Sequence, residues 1–312
     1  MNLKPSENTR LYGMKHFFNE IIMLYDSEKM PTKILLSGKK GLGKSTLAYH
    51  IINHILSNNE DNKYDSYNLT ISNENRSFKL LQNDAHPNFY LIDLLNGKKN
   101  IDVTQIREMI TYTNKSTFNN MSRFILIDNI ENLNKNSINA LLKIIEEPNE
   151  NVFFILINNN EKYILPTLKS RCLTFKINFT FNESIHISNQ ILNENVLDMI
   201  NHDLVSYYNT PGEIINLINF AKDKGVDLKN YTLINFLILL IDNGHYKKDK
   251  FVKNLLINFI QLFFLKEYKL CKSKNSLLSF YQYFIIKIYN TERFNLDEES
   301  LFLEFKSKLL NG

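Results

Sequence analysis

A glycine-rich stretch near the start of the chain carries the strongest chemical signal in the sequence. Residues Gly38–Ser45 read GKKGLGKS, which fits the phosphate-binding pattern G-x-x-x-x-G-K-[ST]. Glycines let the backbone turn tightly, so successive N–H groups can point at phosphate oxygens. In such a loop Lys44 reaches the β- and γ-phosphates, and the Ser45 hydroxyl binds Mg²⁺. The sequence therefore predicts nucleoside triphosphate binding, and hydrolysis is a separate question.

The residues on either side of this loop have the pattern that a phosphate-binding loop requires. Lys33–Leu36 is a short apolar run typical of a buried strand, and apolar residues recur at helical spacing over Ser45–Leu56. A helix that begins at the loop adds the partial positive charge of its N-terminus to the phosphate site. A chance glycine turn would not be expected to have both flanks.

A second chemical group follows another apolar run. Arg123–Asp128 is predicted to be a strand that ends in a carboxylate, and Asp128 can hold the Mg²⁺ of a bound nucleotide. The alternative is that Asp128 caps a helix or turn. In ATPases of this general plan a Glu usually follows, but here the next residue is Asn129, whose amide is a poor general base. Glu131 is expected to point elsewhere, so binding is better supported than hydrolysis.

The composition sets broad limits. The chain has 312 residues, 44% of them hydrophobic, and a net charge of +4, so it can form two or three domains and is only mildly basic. Two cysteines, Cys172 and Cys271, form neither a disulfide framework nor a zinc set, which favours a reducing, cytoplasmic location. The apolar segments Leu233–Ile241 and Leu255–Leu265 are too short to span a membrane.

The order of predicted elements indicates an α/β fold. Five apolar strands alternate with helices up to about residue 178, which predicts a parallel sheet covered on both faces. Residues 57–78 look like a polar, exposed excursion, and Asp102 with Gln105 predicts a capping box. The predicted domains are a P-loop nucleotide-binding domain over 1–178, a small helical lid over 179–226 and an all-α collar over 227–312.

Longer motifs make a family resemblance specific. Ser137–Pro148 (SINALLKIIEEP) resembles the N-A-L-L-K-x-x-E-E-P signature of bacterial DNA polymerase III clamp-loader subunits, which are AAA+ proteins. Thr167–Cys172 resembles their S-R-C motif. The stretch from His86 to Arg107 is similar to the H-P-D … I-x-V-D-x-I-R stretch of the delta-prime branch, and Arg10–Gly13 resembles a short N-terminal box near the adenine. The resemblance covers about residues 8–215.

This resemblance implies a role in DNA replication. The chain would occupy a hetero-pentameric ring with delta and gamma/tau-type subunits, which loads the sliding clamp onto primed DNA. ATP and Mg²⁺ would be the ligands. Arg171 would be an arginine finger that acts in trans on the γ-phosphate held by a neighbouring subunit. The alternative for Arg171 is an ordinary surface salt bridge.

The resemblance also locates a sensor and two departures from the family pattern. Asn158 or Asn159 would monitor the γ-phosphate, although turn residues are the alternative. The lid segment Thr210–Gly212 lacks the Arg that motor subunits carry, and the four zinc-binding cysteines common in the family are absent from residues 57–85, so no zinc is predicted. The predicted nucleotide and Mg²⁺ residues are Gly38, Gly41, Leu42, Gly43, Lys44, Ser45, Thr46, Asp128 and Asn158.

Three functional hypotheses follow from these residues. The first is a delta-prime-like subunit that binds ATP, hydrolyses it weakly or not at all, and supplies Arg171 to a neighbour. The second is an active ATPase motor of the same ring. The third is an unrelated nucleotide-dependent enzyme such as a kinase, which the family signatures argue against. Direct DNA contact has weak support, because Lys39, Lys40, Lys98 and Lys99 are scattered pairs.

Overall fold

The molecule divides into two compact units. A computed structural model describes residues 4–115, 121–205, 209–247, 249–270, 274–294 and 296–310. The first unit runs to Asn193 and includes Thr210–Glu213, and the second comprises Glu194–Asn209 and the chain from Ile214 onward. The three domains predicted from the sequence, 1–178, 179–226 and 227–312, stay a prediction.

A five-stranded parallel sheet forms the centre of the first unit. Its strands are β1 Lys33–Ser37, β2 Phe89–Ile92, β3 Arg123–Ile127, β4 Val152–Asn158 and β5 Leu173–Lys176. Their spatial order is β2-β3-β4-β1-β5, and every neighbouring pair is parallel. The predicted α/β fold with five parallel strands is therefore confirmed. The phosphate-loop strand β1 lies inside the sheet, next to β4.

Helices cover both faces of this sheet. They are α1 Lys15–Asp26, α2 Lys44–Leu56, α3 Arg76–Gln82, α4 Val103–Thr113, α5 Lys135–Glu146 and α6 Pro166–Lys169; a further helix, α7 Phe181–Leu192, follows β5 in the chain. Alternate residues of β1 enter different cores: Ile34 and Leu36 pack with α1, α2 and α3, whereas Leu35 packs with α4 and α5. Strands buried on both faces are continuously apolar, which explains the sequence pattern.

Local signals set the ends of several helices. The predicted capping box forms at α4, where Asp102 and Gln105 bond reciprocally with the backbone. At α5 the side chain of Asn134 accepts a hydrogen bond from the Ser137 N–H, which satisfies a backbone donor that the helix leaves unpaired. The short helix α6 begins at Pro166, a residue that suits the first turn of a helix.

The polar segment 57–78 differs from its expected form. Tyr64, Leu69 and Ile71 are buried in the first core, although the sequence around them is polar and shows no period. The Glu60 carboxylate accepts hydrogen bonds from the Ser77 N–H and hydroxyl, which ties the segment to α3. Isolated apolar anchors and side-chain caps hold this segment in place, and neither produces a periodic pattern.

The second unit is helical. Its elements are the short α8 Val196–Met199, most of α9 Pro211–Lys224, α10 Leu233–Asp242, α11 Lys250–Leu270, α12 Lys274–Phe294 and α13 Glu298–Phe305. The rings of Phe263, Phe264, Phe284 and Phe305 meet edge-on or tilted in its interior. Across the described ranges, no helix combines the length and the apolar character needed to cross a membrane.

Candidate functional site

The phosphate loop joins β1 to α2 and requires glycine at three positions. Gly41 and Gly43 have left-handed φ angles of +84° and +85°, a conformation that costs other residues energy. Gly38 has a steric requirement instead, because a Cβ there would lie 2.2 Å from the carbonyl oxygen of Ile177. Between them, Leu42 is buried in the core. The backbone therefore forms the tight cradle that the sequence motif predicts.

Lys44 is the first residue of α2 and is almost fully buried, with 3% of its surface exposed. Its Nζ donates to the Lys39 carbonyl oxygen at 2.6 Å, so the ammonium group lies over the loop. Burial lowers the pKa of Lys44 to about 8, although the charges of Asp128 and Glu131 act in the opposite direction. A buried cation in a glycine cradle is a favourable partner for a phosphate.

Ser45 and Asp128 meet at the carboxyl end of the sheet. The Ser45 Oγ donates to Asp128 Oδ2 at 2.5 Å. Protein atoms surround most of the Asp128 carboxylate, and this desolvation raises its pKa, with a smaller contribution from Asp93; the Ser45 hydroxyl, the Asn129 N–H and Lys44 oppose the rise. A hydroxyl next to a carboxylate is a hard oxygen donor set suited to Mg²⁺. The predicted pair is thus brought together, and Asp128 caps no helix.

A second carboxylate, which the sequence reasoning did not assign, lies beside Asp128. Asp93 follows β2, the neighbour of β3 in the sheet, and its Oδ1 accepts from Asn129 Nδ2 at 2.6 Å and from the Leu94 N–H at 2.6 Å. Asp93 could have been found from the sequence, because it ends an apolar strand just as Asp128 does, and parallel strands bring such ends together.

Asn129 is the centre of a polar network. It adopts a left-handed φ of +56°, which Asn tolerates better than most residues. Its N–H donates to Asp128 Oδ1 at 2.7 Å, and its Oδ1 accepts from Asn159 Nδ2 at 2.8 Å. Both ends of the amide are therefore engaged, with Asp93 on one side and Asn159 on the other. A carboxylate at this position would lack the donor that Asp93 uses.

Glu131 lies closer to the site than the sequence suggested. Its buried carboxylate accepts from the Asn159 N–H at 3.1 Å, and its charge raises the pKa of Lys44. The sequence-based expectation that Glu131 points away from the site is wrong, because its carboxylate binds the backbone N–H of Asn159 just after β4. The left-handed turn at Asn129 starts a short 3-10 turn over Ile130–Asn132, which directs Glu131 toward that strand.

The two candidate sensor residues contact different parts of the site. Asn158 is the last residue of β4; its carbonyl oxygen accepts from the Gly38 N–H at 3.2 Å, and its Nδ2 donates to Ser37 Oγ at 3.3 Å. Asn159 instead joins the network through Asn129. Asn158 therefore contacts the start of the phosphate loop, whereas Asn159 contacts the carboxylate network.

The segment Thr210–Glu213 packs directly on the phosphate loop. Thr210 Oγ1 donates to the Lys40 carbonyl oxygen at 3.0 Å, and the Gly212 N–H donates to the Gly41 carbonyl oxygen at 2.9 Å. Thr210 and Glu213 form a reciprocal cap at the start of α9. The segment that lacks the motor-type Arg thus holds the loop through one side-chain hydroxyl and one backbone N–H.

The N-terminal residues contact helix α2. Asn8 Nδ2 donates to Thr46 Oγ1 at 3.2 Å, and its carbonyl oxygen lies 3.0 Å from His50 Nε2. Within the box Arg10–Gly13, the Arg10 guanidinium lies over the Tyr12 ring at 5.3 Å. Thr46, one of the predicted nucleotide-binding residues, therefore bonds through its side chain to the N-terminal segment.

Arg171 lies just after α6 and is partly exposed. Its Nη2 donates to Glu146 Oε1 at 2.7 Å, and its Nη1 donates to the Thr167 carbonyl oxygen at 2.8 Å. The salt bridge that the sequence offered as an alternative role for Arg171 is present. The predicted action on a neighbouring subunit stays a prediction.

Two further sequence expectations concern metals and cysteines. Within the described ranges, no group of three or more His, Cys, Asp or Glu side chains could hold a metal ion, and the expected absence of zinc stays a prediction. Cys172 is a free, half-buried thiol, whereas Cys271 lies outside the described residues.

The parallel sheet, the glycine cradle and the adjoining oxygen donors define the class of P-loop α/β nucleotide-binding proteins. The comparison with protein families is more specific, because the sequence model described as "DNA polymerase III, delta subunit" matches residues 13–180, more than half of the chain. The chain belongs to this family. The resemblance to clamp-loader subunits found in the sequence is confirmed at that level.

Individual relatives carry delta-prime and gamma names. The chain is 28% identical to DNA polymerase III subunit delta' of Buchnera aphidicola subsp. Baizongia pistaciae over 67% of this chain and 65% of the relative. It is 31% identical to subunit gamma of Buchnera aphidicola subsp. Schizaphis graminum over 58% and 48%, and 30% identical to subunit delta' of Pseudomonas aeruginosa over 45% and 40%. The chain thus matches less than two thirds of the length of each of these three relatives.

Solved structures of low sequence identity include a branch-migration motor and a clamp-loader protein. The RuvB Holliday junction motor of Thermotoga maritima has a TM-score of 0.43 at 18% identity, covering 73% of this chain and 70% of RuvB. The Bacillus subtilis DNA clamp loader delta protein has a TM-score of 0.33 at 14% identity, covering 93% and 83%.

Proposed function

We propose that this chain is a delta-prime-like clamp-loader subunit that binds ATP with Mg²⁺, hydrolyses it weakly or not at all, and supplies Arg171 to a neighbouring subunit. The observation that carries this proposal is the amide of Asn129 next to Asp128. Both ends of that amide are hydrogen-bonded, and an amide cannot take a proton from water. Its partners would be delta and gamma/tau-type subunits, the sliding clamp and, through the complex, primed DNA.

The proposed binding role assigns each part of the loop a task. The backbone N–H groups of Gly41, Leu42 and Gly43 would hold phosphate oxygens, and Lys44 would place its ammonium group beside them. Ser45 and Asp128 would hold Mg²⁺, which neutralises phosphate charge when bound. Asn158, which ends β4 next to the start of the loop, would be the sensor of the γ-phosphate.

The alternative function, an active ATPase motor subunit of the same ring, has support from two carboxylates near the site. Asp93 contacts Asn129 and Glu131 acts on Lys44, so a motor subunit could use one of them to orient water. In that case the Lys44→Ala variant would abolish the ATPase activity of the reconstituted complex. Under the delta-prime-like proposal, Arg171→Ala is the more damaging change.

The direct test is nucleotide binding by the purified chain, with and without Mg²⁺, followed by its steady-state ATPase rate. We expect Mg²⁺-dependent binding with a turnover far below about 1 s⁻¹, the lower end of ordinary enzyme turnover. A faster rate in the isolated chain would rule out the regulatory role. A pull-down that recovers no replication subunits would instead favour an unrelated enzyme such as a kinase. A cytoplasmic location is part of the same proposal.

A further inference from the structure

We propose that Glu146 is a positioning residue that holds the Arg171 guanidinium ready for a phosphate on a neighbouring subunit, an inference that rests on the finger role proposed above. Glu146 is the last residue of α5, within the family signature Ser137–Pro148. The bond between Glu146 and Arg171 joins the motif Ser137–Pro148 to the motif Thr167–Cys172. Neither motif by itself indicates this contact.

The first support is the hydrogen bonding of the guanidinium. Arg has five N–H donors in a rigid plane. One Nη2–H is used by Glu146 and one Nη1–H by the Thr167 carbonyl oxygen. Within the described parts of the chain, the structure gives the other three N–H groups no partner. With 37% of the side chain exposed, the guanidinium is held by two contacts and retains donors for an external anion.

The second support is the unfavourable location of Glu146 for its own helix. The C-terminus of a helix carries partial negative charge, which disfavours a carboxylate in the last turn. Glu146 ends α5 and Glu147 is the C-cap, so helix stability does not explain the acidic pair. The bond to Arg171 gives Glu146 a partner, whereas none is recorded for Glu147 in the described ranges.

The third support is the small contribution that such a pair makes to stability. Both partners are substantially exposed, with 51% of the Glu146 side chain accessible, and exposed pairs contribute little to folding. The contact still restricts a long side chain that has several rotatable bonds. A catalytic group that is already fixed in place loses less entropy when it meets its target. We therefore infer that the contact acts on the geometry of Arg171.

The test uses the reconstituted complex with its neighbouring subunits and measures ATPase kinetics for four variants of this chain. Glu146→Ala should lower kcat about tenfold, because a loosely held guanidinium is misplaced, while KM for ATP stays unchanged. Glu146→Gln should lose less, since its amide oxygen still accepts a hydrogen bond. Glu147→Gln is the matched control, with a neighbouring charge removed, and should equal wild type. Glu146→Ala combined with Arg171→Ala should equal Arg171→Ala alone.

The outcomes separate this inference from the proposed function. If Arg171→Ala leaves kcat unchanged, the finger role fails and the positioning role fails with it. If Arg171→Ala lowers kcat but Glu146→Ala matches wild type, only the positioning role is overturned. A rise in kcat for Glu146→Ala would also overturn it, because Glu146 would then restrain Arg171. Thermal unfolding of each variant checks that the exposed substitutions leave the fold intact.

Discussion

The nucleotide end of the sheet and the Arg171 segment hold their charges in different ways. Lys44 is buried and Asp128 is half-buried, and desolvation lowers the pKa of the first and raises the pKa of the second. Arg171 and Glu146 form one exposed pair. Buried charges with fixed partners make a site whose geometry is set before the ligand arrives. The exposed pair contributes little to folding and leaves N–H donors of the guanidinium accessible at the surface.

The largest predicted effect is that of Arg171→Ala, which we expect in the assembled complex and not in the isolated chain. Arg171→Ala should leave nucleotide affinity and thermal stability of the isolated chain unchanged, because the guanidinium is exposed and, among the described residues, bonds to Glu146 and the Thr167 carbonyl oxygen. In the reconstituted complex the same change should lower ATPase turnover about 1000-fold, the effect of losing an arginine finger. The measurement is steady-state ATPase at saturating ATP. Equal ATPase rates for the variant and wild-type complexes would show that Arg171 does not act on a neighbouring subunit.

The next effect should appear in the isolated chain. Lys44→Ala should weaken nucleotide binding about 100-fold, because it removes a buried charge-assisted bond to phosphate. Titration calorimetry measures the affinity. Lys40→Ala is the control, since Lys40 is an exposed lysine of the same loop that pairs with Glu161, and we expect a change of less than about threefold. Similar losses for both variants would contradict the assigned role of Lys44.

A paired substitution tests the carboxylate network. Asn129→Glu should destabilise the first unit by about 1–3 kcal/mol, because it removes the donor that Asp93 uses and places two carboxylates together. Adding Asp93→Asn should restore most of that stability. Asn129→Gln is the control, because the Gln side chain is as long as that of Glu but ends in an amide and not in a carboxylate. Denaturant unfolding gives the free energies.

The same pair of substitutions has a kinetic readout. If the amide at position 129 limits hydrolysis, Asn129→Glu combined with Asp93→Asn should raise the ATPase rate of the complex. A stability cycle without coupling between the two positions would show that the Asp93–Asn129 bond contributes nothing.

The last prediction concerns acid stability near α2. Burial lowers the pKa of His50 to about 4, although the hydrogen bond to the Asn8 carbonyl oxygen opposes the shift. The ring contacts that carbonyl oxygen through Nε2 and the Tyr64 hydroxyl through Nδ1. The folded-state pKa lies below the unfolded value near 6.5. The stability contribution of neutral His50 is therefore complete above pH 6.5. It falls by up to about 1.4 kcal/mol per pH unit between pH 6.5 and 4.

Unfolding free energies of wild type and His50→Gln over that pH range measure this effect. The variant should show a shallower decline with acidification, because Gln has no proton to take up. Parallel curves would mean that the buried ring does not determine the pH dependence of this region.

Local features of the fold were predictable from the sequence. The five strands, the loop at Gly38–Ser45 and the capping box at Asp102 depend on short patterns, and the structure reproduces them. The role of Asp93 was not predicted, although its position at the end of an apolar strand was a usable signal; the strand order then shows that β2 and β3 are neighbours. Burial of Tyr64 was missed for a related reason: its partner His50 lies on another element.

Contacts between distant motifs were the least predictable part of the site. Glu146 and Arg171 are each recognisable in a motif, but only the fold joins them. Thr210 contacts the loop at Lys40 across 170 positions in the chain. No periodicity or spacing records such pairs, because their geometry depends on how whole elements pack.

Gly212 limits how this chain could be redesigned. A Cβ at that position would lie 2.7 Å from the Cα of Gly41, and a Cβ on Gly41 would meet Thr210 Oγ1 at 2.4 Å. An engineer who wishes to install a motor-type cation in the lid therefore cannot place it at Gly212, although it lies in a helix where larger residues are normally favoured. Gly41 and Gly212 are therefore coupled positions, because a side chain at either one would require the loop and the start of α9 to move apart.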